Sequence, residues 1–166
     1  MSAALTTISL ADEAATEALG RRLAGCVRIT QLIFLRGELG AGKTTLCRGF
    51  LRGLGYQGLV KSPTYTLCET YRVADVQCLH CDFYRLSHPE EMEYLGLREQ
   101  FDANRVLLIE WPEIATQILP PPDLDITLSF AATGRIAELR AGTPRGESVI
   151  PALGTGGDSI SKSHVS

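Results

Sequence analysis

Two apolar runs interrupt an otherwise mixed chain. Residues 31–36 (QLIFLR) and 106–110 (VLLIE) carry apolar side chains at even and odd positions alike. Short, bounded runs of this kind predict strands buried on both faces, the habit of parallel sheets covered by helices. Residues 11–25 (ADEAATEALGRRLAG) place Ala and Leu at helical spacing, with acids first and arginines late. That charge order suits the helix dipole and predicts an amphipathic helix. A second helical period runs over 45–54 (TLCRGFLRGL), and Gly55 stops it. Residues 67–71 and 77–84 predict two strands around a Val73-Ala74-Asp75 turn. Ser87-His88-Pro89-Glu90 has the S-x-x-E pattern of a capping box and predicts a helix to about Gln100. Pro112 suits the first turn of a short helix that ends before Pro120. Segments 125–130 and 135–140 alternate in polarity and predict an antiparallel hairpin.

Strands alternating with helices, followed by a hairpin, make the fold class α/β. The expected sheet is mixed and largely parallel, flanked by helices, with an antiparallel C-terminal hairpin. After about Gly142 the hydrophobic pattern fades into Gly and Ser. The expected organisation is therefore one domain over 1–141 and a flexible tail over 142–166.

Composition narrows the function classes. The chain has 166 residues, 45% of them hydrophobic, which suffices for one ordinary core and excludes wholesale disorder. Its formal charge is -3. A weakly acidic surface is a poor grip for nucleic acid, so any action on RNA is expected to need a partner. There is no apolar run long enough to span a membrane and no basic leader-like start. With five cysteines, an odd number, free thiols and a cytoplasmic location are expected. Cys78 and Cys81 have zinc-like spacing, but no second ligand pair accompanies them, and a strand points residues three apart to opposite faces.

The chemistry enters at Gly37-Glu38-Leu39-Gly40-Ala41-Gly42-Lys43-Thr44, which matches G-x-x-x-x-G-K-[ST] at every fixed position. An apolar strand precedes it and a helix follows, as a phosphate-binding loop requires. Glycines let backbone N–H groups turn inward on an anion, and the helix N-terminus adds positive potential. Lys43 supplies a full charge for the β- and γ-phosphates, and the Thr44 hydroxyl is a candidate magnesium ligand. Glu38, Leu39, Gly40, Ala41, Gly42, Lys43, Thr44 and Thr45 are thus the candidate phosphate-binding residues of a P-loop NTPase-type sheet.

Three further segments bear on this loop. Glu110 ends the 106–110 run as a Walker B acid does, although nucleotide hydrolases more often have Asp there. It is a candidate to bind Mg²⁺ or to polarise the attacking water. Asp82 ends a predicted strand and is a second candidate for the metal shell. His80 shares its face, and a lone His there reads first as a core residue. Ser62-Pro63-Thr64-Tyr65-Thr66 offers loop hydroxyls that could sense a γ-phosphate, or is simply a proline-stiffened turn. Trp111 packs either on the nucleotide or in the core; spacing does not choose.

Taken together, GELGAGKTT, SPTYT, HCDFYRL and LLIEWP, in this order over roughly residues 5–141, resemble the TsaE family of bacteria. The resemblance implies a small P-loop ATPase that uses ATP and Mg²⁺. It implies Lys43 and Thr44 on the phosphates and metal, Glu110 and Asp82 in the metal or water shell, and Thr64 in a switch-like loop. It also implies work with two subunits, TsaD and TsaB, in forming N6-threonylcarbamoyladenosine at position 37 of tRNAs that read ANN codons. In that family, ATP turnover is thought to reset the complex, and tRNA is met only through it.

The rival functions are fewer. A P-loop small-molecule kinase needs an arginine-rich lid, and Arg72, Arg85, Arg98 and Arg105 are scattered. A guanine-specific GTPase would carry N-K-x-D, which this chain lacks. A non-catalytic domain with a relic loop would tolerate loss of Lys43.

Overall fold

A computed structural model of the chain describes residues 4–26, 31–63, 65–94, 96–100 and 105–153. In chain order the elements are β1 (Leu5–Leu10), α1 (Glu13–Cys26), β2 (Gln31–Arg36), α2 (Lys43–Leu54), β3 (Cys68–Val73) and β4 (Val76–Asp82). They continue with α3 (Glu91–Tyr94), α4 (Leu97–Gln100), β5 (Arg105–Glu110), a 3-10 turn (Pro112–Ala115), β6 (Leu124–Phe130), β7 (Arg135–Ala141) and α5 (Pro144–Leu153).

The strands form one sheet in the order β1-β7-β6-β2-β5-β4-β3. β2 lies at its centre and pairs in parallel with β5 and β6, and β4 pairs in parallel with β5. The β3–β4, β6–β7 and β1–β7 pairs at the two edges are antiparallel. The mixed α/β class with a parallel centre and the β6–β7 hairpin are as the sequence predicts.

The wholly apolar runs become β2 and β5 because both sheet faces are covered. Ile33, Leu35, Val106 and Leu108 pack with α1, α2 and α5, whereas Leu32, Phe34, Leu107 and Ile109 pack on the opposite side with Met92, Leu97 and Ala115. Cys78 and Cys81 likewise fall into different cores, as strand periodicity requires.

Helices α1 and α2 meet at glycines. A Cβ on Gly49 would stand 2.0 Å from the Glu17 carbonyl oxygen, and one on Gly20 would stand 2.2 Å from that of Leu46. Only glycine permits so close an approach. Asp12 caps α1, accepting from the Ala15 N–H at 2.8 Å.

Four expectations are corrected. Strand β1 precedes α1 where no element was predicted; its polar Thr6 and Thr7 dilute the pattern, and its pairing with β7 supplies what local sequence does not. The helix expected from Ser87 to Gln100 is split into α3 and α4, because Gly96 takes φ +65° between them. The expected tail holds a helix at 144–153, where Val149, Ile150 and Leu153 bury themselves against the main core. Pro144 is tolerated as the first helical residue. Residues 154–166 of that tail lie outside the described residues. Finally, the cysteines are not all free thiols. Cys68 and Cys81 stand opposite each other in the β3–β4 register and form a disulfide. Cys47 and Cys78 are buried free thiols, and burial pushes that of Cys78 up to about 12. Among the described residues no helix is long and apolar enough to cross a membrane.

Candidate functional site: a phosphate loop facing two carboxylates

The loop that leaves β2 turns through Gly42, which sits at φ +107° and ψ +16°, and α2 begins at Lys43. That left-handed conformation favours glycine. Because the N-cap is glycine, no side chain caps the helix. The first-turn N–H groups are left facing the loop, which is the arrangement that binds anions.

Lys43 is buried and folds back on its own loop. Its ammonium donates to the carbonyl oxygens of Gly37 at 2.5 Å and Glu38 at 3.0 Å. The same nitrogen lies 4.3 Å from the centre of the Trp111 ring, close enough for a cation–π contact. Burial lowers the Lys43 pKa, and the nearby Glu110 and Asp82 oppose that shift.

The carboxylates arrive from the sheet. Asp82 ends β4, Glu110 ends β5, and the parallel register pairs them directly. Both are buried, at 7% and 2% exposed. The Thr44 hydroxyl donates toward both Glu110 oxygens, at 3.3 and 3.2 Å. His80 Nε2 lies 2.6 Å from Glu110 Oε2. Asp82 Oδ1 accepts from the Tyr84 N–H at 2.9 Å. Burial raises the Asp82 pKa; the Tyr84 bond lowers it and the Glu110 charge raises it further.

Lys43, Thr44, Asp82, Tyr84, Glu110 and Trp111 line one cavity of about 390 Å³. Of the residues singled out in the sequence, Leu39, Gly40, Gly42, Lys43, Thr44, Thr45, Asp82, Glu110 and Trp111 all border it. Ala41 is fully buried beneath the loop, and Glu38 contributes its carbonyl to Lys43. Thr64 lies outside the described residues, while its neighbour Ser62 lines the cavity. Trp111 takes φ +56° and sets its ring 5.0 Å from that of Tyr84.

Sequence reasoning missed two features. A second cavity of about 250 Å³ lies across the loop, bordered by Asp12, Glu13, Thr16 and Arg135. The Arg135 guanidinium donates to the Gly40 carbonyl at 3.3 Å, tying the hairpin to the loop. No spacing signal joins residues so far apart. The other is the His80–Glu110 contact, for which the shared face of His80 and Asp82 was the available hint.

The arrangement offers hard oxygen donors (the Thr44 hydroxyl and two carboxylates) beside a buried ammonium and a helix N-terminus. That donor set fits a magnesium-bound polyphosphate.

Known proteins share this chain's sequence pattern and fold. The family model described as "Threonylcarbamoyl adenosine biosynthesis protein TsaE" matches residues 10–137. A Haemophilus influenzae protein described as tRNA threonylcarbamoyladenosine biosynthesis protein TsaE is 47% identical over 122 residues, covering 74% of this chain and 77% of the relative. A Bacillus subtilis protein of the same description is 37% identical over 116 residues, covering 70% and 72%. The crystal structure of Bacillus subtilis YdiB superposes with a TM-score of 0.80 at 28% identity, covering 92% of this chain and 96% of that one. A family match over most of the chain, relatives of this identity and a shared fold lead to one conclusion: the chain belongs to the TsaE family of threonylcarbamoyl adenosine biosynthesis proteins.

Proposed function

We propose that this chain binds ATP with Mg²⁺ at the β2–α2 loop and hydrolyses it as a subunit of the complex that forms N6-threonylcarbamoyladenosine in tRNA. The supporting observation is the convergence of Lys43, Thr44, Asp82 and Glu110 on one cavity at the uncapped start of α2. The pathway is the one in the descriptions of the relatives.

In this reading the β- and γ-phosphates take the place that the Gly37 and Glu38 carbonyls now hold on Lys43. The second cavity across the loop receives the nucleoside. Magnesium, when bound, supplies charge that offsets the phosphate oxygens, and Thr44, Asp82 and Glu110 are the residues that hold it or its waters. Glu110 orients the attacking water and accepts its proton. Thr64 is the residue that senses the γ-phosphate.

Partner subunits of the TsaD and TsaB type complete the site. Ser62, Tyr84 and Arg85 are exposed at its rim, so water reaches the cavity until another surface covers it. The charge of -3 fits a subunit that meets tRNA only through its partners in the cytoplasm, with ATP turnover resetting the complex. The test is steady-state ATP turnover with and without the two partners. Slow turnover that rises several-fold in the complex is expected; turnover that partners leave unchanged contradicts the proposal.

A further inference from the structure

We infer that His80 is a positioning residue for Glu110: its Nε2–H ties one carboxylate oxygen and leaves the other aimed at the reaction. The inference rests on the role given to Glu110 above.

His80 is completely buried and does not border the nucleotide cavity, so it has no direct access to substrate. It reaches Glu110 from the adjacent strand, since the β4–β5 register sets His80 beside Leu108 and Asp82 beside Glu110. Its 2.6 Å contact to Oε2 is much shorter than the two Thr44 contacts at 3.2 and 3.3 Å. Thr44 has a single hydroxyl proton to divide between both oxygens, so it does not fix the plane of the carboxylate. The His80 bond does.

The other imidazole nitrogen explains why only one tautomer serves. Nδ1 of His80 is buried and has no hydrogen-bond partner among the described residues. A neutral imidazole carries one N–H. On Nδ1 that hydrogen would be a buried donor with no acceptor, and a lone pair on Nε2 would face the Glu110 carboxylate. Both are costly. On Nε2 the hydrogen serves the carboxylate, and one unpaired acceptor, Nδ1, replaces an orphan donor and a lone pair set against a carboxylate. The ring therefore makes its one hydrogen bond to Glu110. Oε2 is committed to it, and Oε1 remains for water or metal.

The test compares full-length variants in the complete complex with ATP and Mg²⁺. His80→Leu keeps bulk but removes the donor. It is expected to lower kcat about 10- to 100-fold, the usual effect of losing an outer-shell partner, with the KM for ATP within about threefold. His80→Gln places an amide N–H near the Nε2 position and is expected to recover much of the loss. His80→Asn, whose amide is too short to reach, is not. Glu110→Gln is the control, and combining it with His80→Leu should slow turnover no further, because the two residues act as one unit.

Unchanged kcat in folded His80→Leu overturns the inference, as does a fully multiplicative double variant. If His80→Leu does not fold, the contrast between His80→Gln and His80→Asn decides, and equal rates for these two overturn it. Full turnover in Glu110→Gln would instead remove the role of Glu110 itself, a separate failure that the control detects.

Discussion

Asp82 and Glu110 end adjacent parallel strands in direct register, so two buried carboxylates share one pocket at the start of α2. Burial, backed by the Glu110 charge, holds the Asp82 pKa above its ordinary 3.8. The sign follows from linkage. A carboxyl that keeps its proton more tightly in the folded state favours folding at low pH, and that contribution is lost as pH rises from 3.8 through the folded value. At neutral pH the ionised Asp82 is thus a burden on the free protein. Asp82→Asn should raise the denaturation midpoint at pH 7, and the gain should vanish below about pH 4. Denaturant titrations at the two pH values check this; a lower midpoint at pH 7 would contradict it. Turnover should fall in the same variant, because the proposed magnesium site loses a charge that folding does not need.

Glu110 is expected to matter for reaction more than for binding. Glu110→Gln preserves the shape and both polar atoms while removing the base. ATP affinity should stay within about threefold, and single-turnover hydrolysis should slow by about 10²-fold or more, the scale of general-base catalysis. Loss of ATP binding by a folded variant would show Glu110 to be an essential metal ligand instead.

Trp111 is the only tryptophan and sits 4.3 Å from the Lys43 ammonium. ATP that draws Lys43 onto its phosphates changes the charge facing the indole. Titration with Mg–ATP should therefore shift or quench tryptophan emission, and Lys43→Ala should abolish the response. An unchanged spectrum at saturating nucleotide would mean that Lys43 keeps its contacts to the loop carbonyls.

Gly49→Ala tests the α1–α2 crossing that seats the phosphate helix. In an open helix this change is worth about 1 kcal/mol in favour of Ala. Here the new methyl would stand 2.0 Å from the Glu17 carbonyl oxygen. The helices must separate, and a loss of roughly 1–3 kcal/mol is expected, as for other overpacked sites. Urea unfolding gives the answer, and any stabilisation would show that the contact relaxes freely.

What the sequence made legible follows from range. The β2–loop–α2 unit could be read because its signals are contiguous: an apolar run, fixed glycines and a helical period over 31–54. β5 and the β6–β7 hairpin were legible for the same reason. β1 was not, since it is held by pairing with β7 more than 120 residues away. Helix α5 escaped because Val149, Ile150 and Leu153 are embedded among Pro and Gly, and their burial depends on a core built elsewhere. Its start is anchored by Asp123, which accepts from the Leu32 N–H at 2.8 Å and the Thr143 hydroxyl at 2.6 Å. The Cys68–Cys81 pairing and the His80–Glu110 contact required strand register, which composition and spacing do not contain. At the site, Lys43, Thr44 and Glu110 were readable as types at set positions; their mutual distances were not.

The proposed function stands on a triphosphate and magnesium held at the turn before α2. Isothermal titration of ATP into the full-length chain, with and without Mg²⁺, tests it most directly. Saturable binding at one site, strengthened by Mg²⁺ and lost in folded Lys43→Ala, is expected. Absence of any binding heat from well-folded protein, or equal affinity in Lys43→Ala, would contradict it.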